Sequence, residues 1–268
     1  MTVTLDDGVV DAVIDNPPVN VITRDLYRDL ARLPAMAEAE PDARVIVVRS
    51  ADPEFFIAHF DVELILAAPI DGPAERTEEL HGFHQMCEAY RTSPLPTICE
   101  IGGRVGGGGG ELAVSCDMRF GVPATTLCQM EVPLGILPGG SGTQRLPRML
   151  GRGRAMEIVL AGDDIDGATL NEWGWLNRLL AGPDELRAHV AALAARIASF
   201  PPEAVSRAKQ SVLAASPDVL PGLTEEAFLF QETVRTDAAR SRMTNFLARG
   251  GQTRDGELRV GALGAELG

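Results

Sequence analysis

Apolar and polar positions alternate with a period of two at the start of the chain and give way to a helical period soon after. Residues 3–5 and 9–14 read as strands joined around Asp6-Asp7-Gly8, whose Asp-Gly pair favours a tight hairpin turn. Leu26, Leu30 and Leu33 then recur at helical spacing behind Thr23, a residue suited to cap a helix running to about residue 38. Residues 44–49 return as a strand. Residues 97–101 form a short β-prone apolar run behind the breakers Pro94 and Pro96, which predicts a buried strand feeding the glycines 106–110. Glu111-Leu-Ala-Val-Ser-Cys then predicts a helix with Glu111 in its first turn. Residues 73–91 are polar and helix-prone. Beyond Leu146 the pattern is mainly helical, over 153–160, 167–172, 184–198, 202–214 and 224 to about 247. Asp166 and Asp184 read as caps, Gly162 and Gly182 as stops. Alternation of strand and helix indicates an α/β class with sheet connections through helices. The glycine-rich tail, 250–268, is expected to be partly disordered.

Composition narrows the function. A chain of 268 residues can bury a full core, and its formal charge of −14 disfavours a nucleic-acid partner, whose binding rests on clustered Lys and Arg. Lys209 is the only lysine. Cys87, Cys99, Cys116 and Cys128 show no C-x-x-C spacing and the start shows no basic, apolar leader, so reduced thiols and a cytoplasmic location are expected. No apolar run approaches the roughly 18 residues of a membrane span, so no membrane partner is expected.

The chemistry concentrates between Thr97 and Leu146. Glycines 106–110 lack Cβ atoms, so a ligand can approach their main chain closely, and a helix N-terminus behind them offers unpaired N–H donors with a partial positive charge. The alternative is a mobile glycine loop, and residues 135–142 carry the same ambiguity. Two carboxylates, Glu111 and Glu131, beside such donors suit acid/base chemistry on a carbonyl compound. Other templates fail. The glycines lack the Lys-Ser or Lys-Thr of a P-loop, and Thr143 spoils a nucleophile elbow at Gly140-Ser141-Gly142. His81 and His84 share one face at i, i+3 without an acidic partner at ligand spacing, which reads as a solvated helix face rather than a metal site.

The order strand, Gly-Gly-Gly-x-Glu-Leu-Ala, Cys-Asp, then Glu131-Val-x-Leu-Gly-Ile-x-Pro-Gly-Gly-x-Gly-Thr-Gln-Arg-Leu146, resembles the crotonase superfamily, the enoyl-CoA hydratase/isomerase family. Asn16-Pro-Pro-Val-Asn20, Ile46-Val-Val-Arg-Ser50 and Pro201-Pro-Glu-Ala-Val205 extend the likeness, which runs from about Val9 to about Arg249. It implies a crotonase-like spiral of ββα units in an α/β core, residues 1–198, that carries the acyl-CoA site. It also implies a C-terminal helical region, 199–268, that builds a homotrimer, often paired into a hexamer.

The resemblance further implies oxyanion donors at the backbone N–H groups of Phe60 and Gly108 and an acid/base pair of Glu111 and Glu131. Substrate or CoA contacts fall to Ala58, His59, Asp61, Gly107, Pro138 and Gly139, with no metal and no cofactor beyond the CoA of the substrate. The implied reaction is hydration of a 2-enoyl-CoA. The rivals are a double-bond isomerase and a non-hydrating acyl-CoA-binding member. His59 departs from the family's Phe-x-Ala-Gly-x-Asp-Leu segment by replacing the glycine, which favours the rivals, whereas the two glutamates favour the hydratase. Its imidazole either fills volume away from the substrate or adds an acid/base group. The basic residue usual before the Asn of the first loop is also replaced, leaving Arg24 and Arg104 as candidates for the adenosine phosphates.

Overall fold

The computed structural model describes every residue except Pro217. The chain opens with the expected hairpin, β1 (Thr2–Asp6) and β2 (Val9–Ile14), paired antiparallel. It continues through α1 (Arg24–Glu38), β3 (Val45–Ser50), β4 (Phe55–Ile57), α2 (Val62–Leu66) and α3 (Gly82–Thr92). Next come β5 (Thr97–Ile101), β6 (Arg104–Gly106), α4 (Gly107–Ser115), β7 (Met118–Gly121), β8 (Thr126–Cys128) and α5 (Gly142–Leu150). The remainder is α6 (Arg152–Ala161), β9 (Asp164–Asp166), α7 (Gly167–Trp173), β10 (Arg178–Leu179), α8 (Pro183–Ala198), α9 (Pro202–Ala214), α10 (Leu220–Val234), α11 (Asp237–Ala248), α12 (Arg254–Glu257) and α13 (Val260–Ala265).

Two sheets result. The larger has strand order β1-β2-β3-β5-β7-β10, the smaller β4-β6-β8-β9. Three times in succession the chain lays one strand in the larger sheet and one in the smaller before entering a helix, as in β5, β6 and α4. This is the ββα spiral. Val45, Ile46, Val47 and Val48 of β3 are all buried, because parallel strands at the centre of a sheet are covered on both faces and read as continuous apolar runs. The main core lies between that sheet and α1, α3 and α4, with Tyr90 donating its hydroxyl to Leu30 O at 2.9 Å. Each fully buried side chain there, such as Leu30 or Phe56, contributes roughly 1.5–3 kcal/mol. Among the described residues no helix is long and apolar enough to cross a membrane.

Local expectations are met at Thr23, whose hydroxyl accepts from Leu26 N, at Asp166, which caps α7, and at Gly162, which ends α6 in the left-handed region. Others are corrected. The helix expected at Glu111 begins at Gly107, so the glycines are its first turn rather than a preceding loop, and Glu111 lies in the second turn. Glycine is required because α4 runs against β4: a Cβ on Gly109 would sit 2.7 Å from Ile57 Cβ. The helix expected over 73–91 occupies only Gly82–Thr92, since 73–81 lacks an apolar stripe and instead crosses to α10 through an Arg76–Glu225 pair. Gly182 starts α8 rather than stopping a helix, and Asp184 sits in its first turn behind Pro183 instead of capping it. The helix expected over 224–247 is broken where Thr236 caps α11 with its hydroxyl, 3.1 Å from Ala239 N. The tail is ordered: Val260 and Leu263 of α13, with Leu267 beyond its end, are buried in a second core with Val62, Met130 and Phe246.

Candidate active site

Two chain crossings between the sheets bring the site together. At the end of β4, Ile22 N donates to His59 O at 2.8 Å and Asp61 N to Ile22 O at 3.3 Å. Phe60 between them therefore turns its own N–H the other way. Asn20 braces this segment, its amide reaching the carbonyls of Phe55 and Phe56, both at 3.1 Å. At the end of β6, Gly107 takes a φ of +42° and opens α4, leaving the Gly108 N–H without a helical acceptor. The two meet: a Cβ on Gly108 would lie 3.5 Å from Phe60 N. The Phe60 amide and the N-terminus of α4 thus lie side by side, where unpaired N–H donors can meet a carbonyl oxygen.

Glu111 projects from α4 into the same space. Its Oε1 accepts from Gly140 N and Gly142 N, both at 2.8 Å. The alternate amides of that loop serve a different carboxylate: Ser141 N donates to Glu226 Oε1 at 2.6 Å and Thr143 N to Glu226 Oε2 at 3.0 Å. Ser141 holds φ at +107°, a left-handed conformation costing of the order of 1–3 kcal/mol in a non-glycine residue, braced by its Oγ accepting from Arg145 Nε at 2.8 Å. Glu226 is in turn held by His84 Nε2 at 2.9 Å. His84 is thus fully buried, contrary to the solvated face expected for it, while His81 stays exposed. Sequence spacing could not reveal a partner 142 positions away.

Glu131 faces the glycine helix from the turn after β8, its Oε2 accepting from Gln129 Nε2 at 3.0 Å. Burial raises the Glu131 carboxyl to about 7 against the opposing effects of its own backbone N–H, Gln129 and the charge of His59. Burial raises Glu111 well above the usual carboxylate range, helped by the charges of Glu131 and Glu226 and opposed by the Gly142 and Gly140 amides. The two titrate as a pair that keeps one proton near neutrality.

Both glutamates line a cavity of about 470 Å³ with Phe60, Gly108 and Gly139. Sequence reasoning named Phe60 but not the other residues of its apolar wall. Phe83 stacks with Tyr27 at 6.3 Å and meets Phe60 edge-on at 5.7 Å, while Ile136, Phe230 and Val234 close the other side. Arg24 stands at the lining, as a phosphate contact would require; Arg104 is turned away into a pair with Asp164. The other anticipated contacts adjoin the lining residues. Ala58 packs with Val19, Val21 and Phe55, Asp61 caps α2, and Pro138 and Gly107 buttress Gly142 and Glu131. His59 is buried, its ring bonded to Phe60 O and to Glu257 of α12 rather than turned into the cavity.

The model of the enoyl-CoA hydratase/isomerase family matches residues 4–253. An enoyl-CoA isomerase/hydratase of Mycosarcoma maydis is 29% identical over 252 residues, 89% of each chain. Among solved structures, a Streptomyces avermitilis protein provisionally assigned as an enoyl-CoA hydratase superposes with a TM-score of 0.89 at 35% identity, covering 99% of this chain and 97% of its own. An enoyl-CoA hydratase from Bacillus halodurans shares the fold, with a TM-score of 0.82 at 19% identity over 91% of this chain and 98% of its own.

Proposed function

The chain belongs to the enoyl-CoA hydratase/isomerase family, and from that membership we propose that it hydrates a 2-enoyl-CoA to a 3-hydroxyacyl-CoA. The observation that carries the reading is the presence of two carboxyl groups, Glu111 and Glu131, on one cavity beside the Phe60 and Gly108 amides. Family members act on acyl-CoA thioesters. In the proposed reaction the thioester oxygen lies between the two N–H groups. Glu111 takes a proton from water as its oxygen bonds to Cβ, electron density moves onto the thioester oxygen, and Glu131 delivers its proton to Cα. Protons balance, since one carboxyl gains what the other loses. Charge on the enolate is met by dipoles already oriented, which removes a reorganisation cost from the barrier. No metal or redox group enters these steps.

A carboxyl at Glu111 supports hydration over isomerisation, because a double-bond shift needs only one shuttle between Cα and the γ carbon. The His59 ring lies outside the cavity and supplies no argument for the rival readings. The apolar wall from Tyr27 to Phe230 suits an acyl group without charge. A screen of 2-enoyl- and 3-enoyl-CoA thioesters of graded length, followed by mass and by loss of the conjugated absorbance, tests the proposal. A mass gain of one water on 2-enoyl-CoA is expected; conversion of 3-enoyl to 2-enoyl thioester without mass change would replace it with the isomerase.

A further inference from the structure

We infer that His59 is a positioning residue for the oxyanion hole, a buried imidazolium clamped by Glu257 of α12 that fixes the Phe60 N–H. The C-terminal segment then completes the site. This rests on the reading above only for the identity of the carbonyl that the hole receives.

The ring is 2% exposed and both its nitrogens face acceptors. Nδ1 lies 2.7 Å from Phe60 O, a carbonyl that can only accept, so Nδ1 carries a proton. Nε2 lies 3.0 Å from Glu257 Oε1, which also accepts from Gln252 N at 2.8 Å. An ionised Glu257 accepts at both contacts, and Nε2 then carries a proton too. Burial disfavours the charge, but the Glu257 carboxylate, the Phe60 carbonyl and the nearby Glu131 outweigh it and raise the imidazole above its ordinary value. Glu257 falls below the usual range despite its own burial, through His59, the Gln252 amide and Arg104. The other neighbour of the ring is Phe246 of α11, edge-on at 5.6 Å.

The pair acts on both halves of the hole. Ile22 holds the peptide before Phe60 through His59 O, and the imidazolium holds the peptide after it through Phe60 O. The Phe60 N–H lies in the first of these planes, and the hold on the second keeps Phe60 from turning about its own backbone bonds, so the N–H keeps one direction. The stem of His59 also abuts α4, since a Cβ on Gly107 would lie 2.9 Å from His59 Cβ. Glu257 is itself anchored: Gln252 Oε1 accepts from Val62 N at 2.7 Å, and Arg254 pairs with Asp52 and Glu54. A family glycine would leave this corner free, and here the side chain and the tail take over its restraint.

Nitrogen-15 spectra of histidine-labelled protein, with His59 assigned by its loss in His59→Gln, read the charge directly. Two protonated ring nitrogens are expected through neutral pH, with a neutral ring in Glu257→Gln. Acetoacetyl-CoA, whose enolate absorbs in the near ultraviolet, reads the hole without turnover, and its enolate band should weaken several-fold in Glu257→Gln. On the best substrate that variant should lose about tenfold in kcat with KM within about twofold, the signature of a misplaced transition-state donor. A neutral His59 in the unsubstituted protein overturns the inference. So does an unchanged enolate band in a Glu257→Gln protein that is merely less stable, which would leave the pair a simple anchor. If no enoyl-CoA is turned over, the spectra and the band still decide, so the two readings fail separately. Should Glu257→Gln not fold, the unsubstituted spectrum and the band in His59→Gln decide in the same way.

Discussion

At the scale of single residues, Glu131 carries the most exposed consequence of the proposed reaction. Glu131→Gln keeps the shape and the Gln129 contact but removes the proton delivered to Cα, so kcat should fall by about 10²–10⁴ with folding unchanged. Near-normal turnover of that variant on 2-enoyl-CoA would remove Glu131 from the mechanism. The coupled pair also sets a pH profile. Because burial raises both carboxyls, both are protonated in acid and no base remains; the single proton left at higher pH belongs to the pair and lies on Glu131 when Glu111 acts as base. Turnover should therefore rise as pH increases through about 7, then fall once the last proton leaves the pair. A kcat profile flat across neutrality would contradict the shared proton. Glu111 and Glu131 were legible from the sequence because they sit at fixed distances from glycine clusters. Glu226, His84 and Glu257 were not, because each owes its role to a partner far along the chain.

At the scale of elements, α4 shows what the glycines do. All nine of its residues are buried and its first turn lies against the backbone of β4, so glycine answers a steric demand rather than a need for motion. Gly109→Ala should push the new methyl into Ile57 and cost about 1–3 kcal/mol, read as a lowered unfolding midpoint in denaturant. An unchanged midpoint would mean that the helix and strand part easily. The strands β3 and β5 and the helices α1 and α8 were legible because their apolar positions match the faces they bury. The extents of α3 and α10 were not. There the boundary is fixed by tertiary partners, such as the Arg76–Glu225 pair, and by a cap within a continuous helical pattern at Thr236. The tail was misjudged on composition, which hides the buried Val260, Leu263 and Leu267.

At the scale of the whole molecule, α9 has no buried residue, and Val212 is 72% exposed on it. Phe200 and Leu220, at either end of this region, are also exposed. We propose that this surface is covered in the homotrimer or hexamer that the family resemblance implies, and sedimentation at micromolar concentration should give three or six times the 28.5 kDa chain mass. A stable monomer would count against it. The tie between His59 and Glu257 spans 198 positions and has a consequence in time. Contacts of that separation form late, because the intervening chain must be ordered first. On refolding from denaturant, fluorescence from Trp175, set in the main core, should recover before catalysis does. For an interval, then, the population should contain molecules that have regained their packed interior and still turn over nothing.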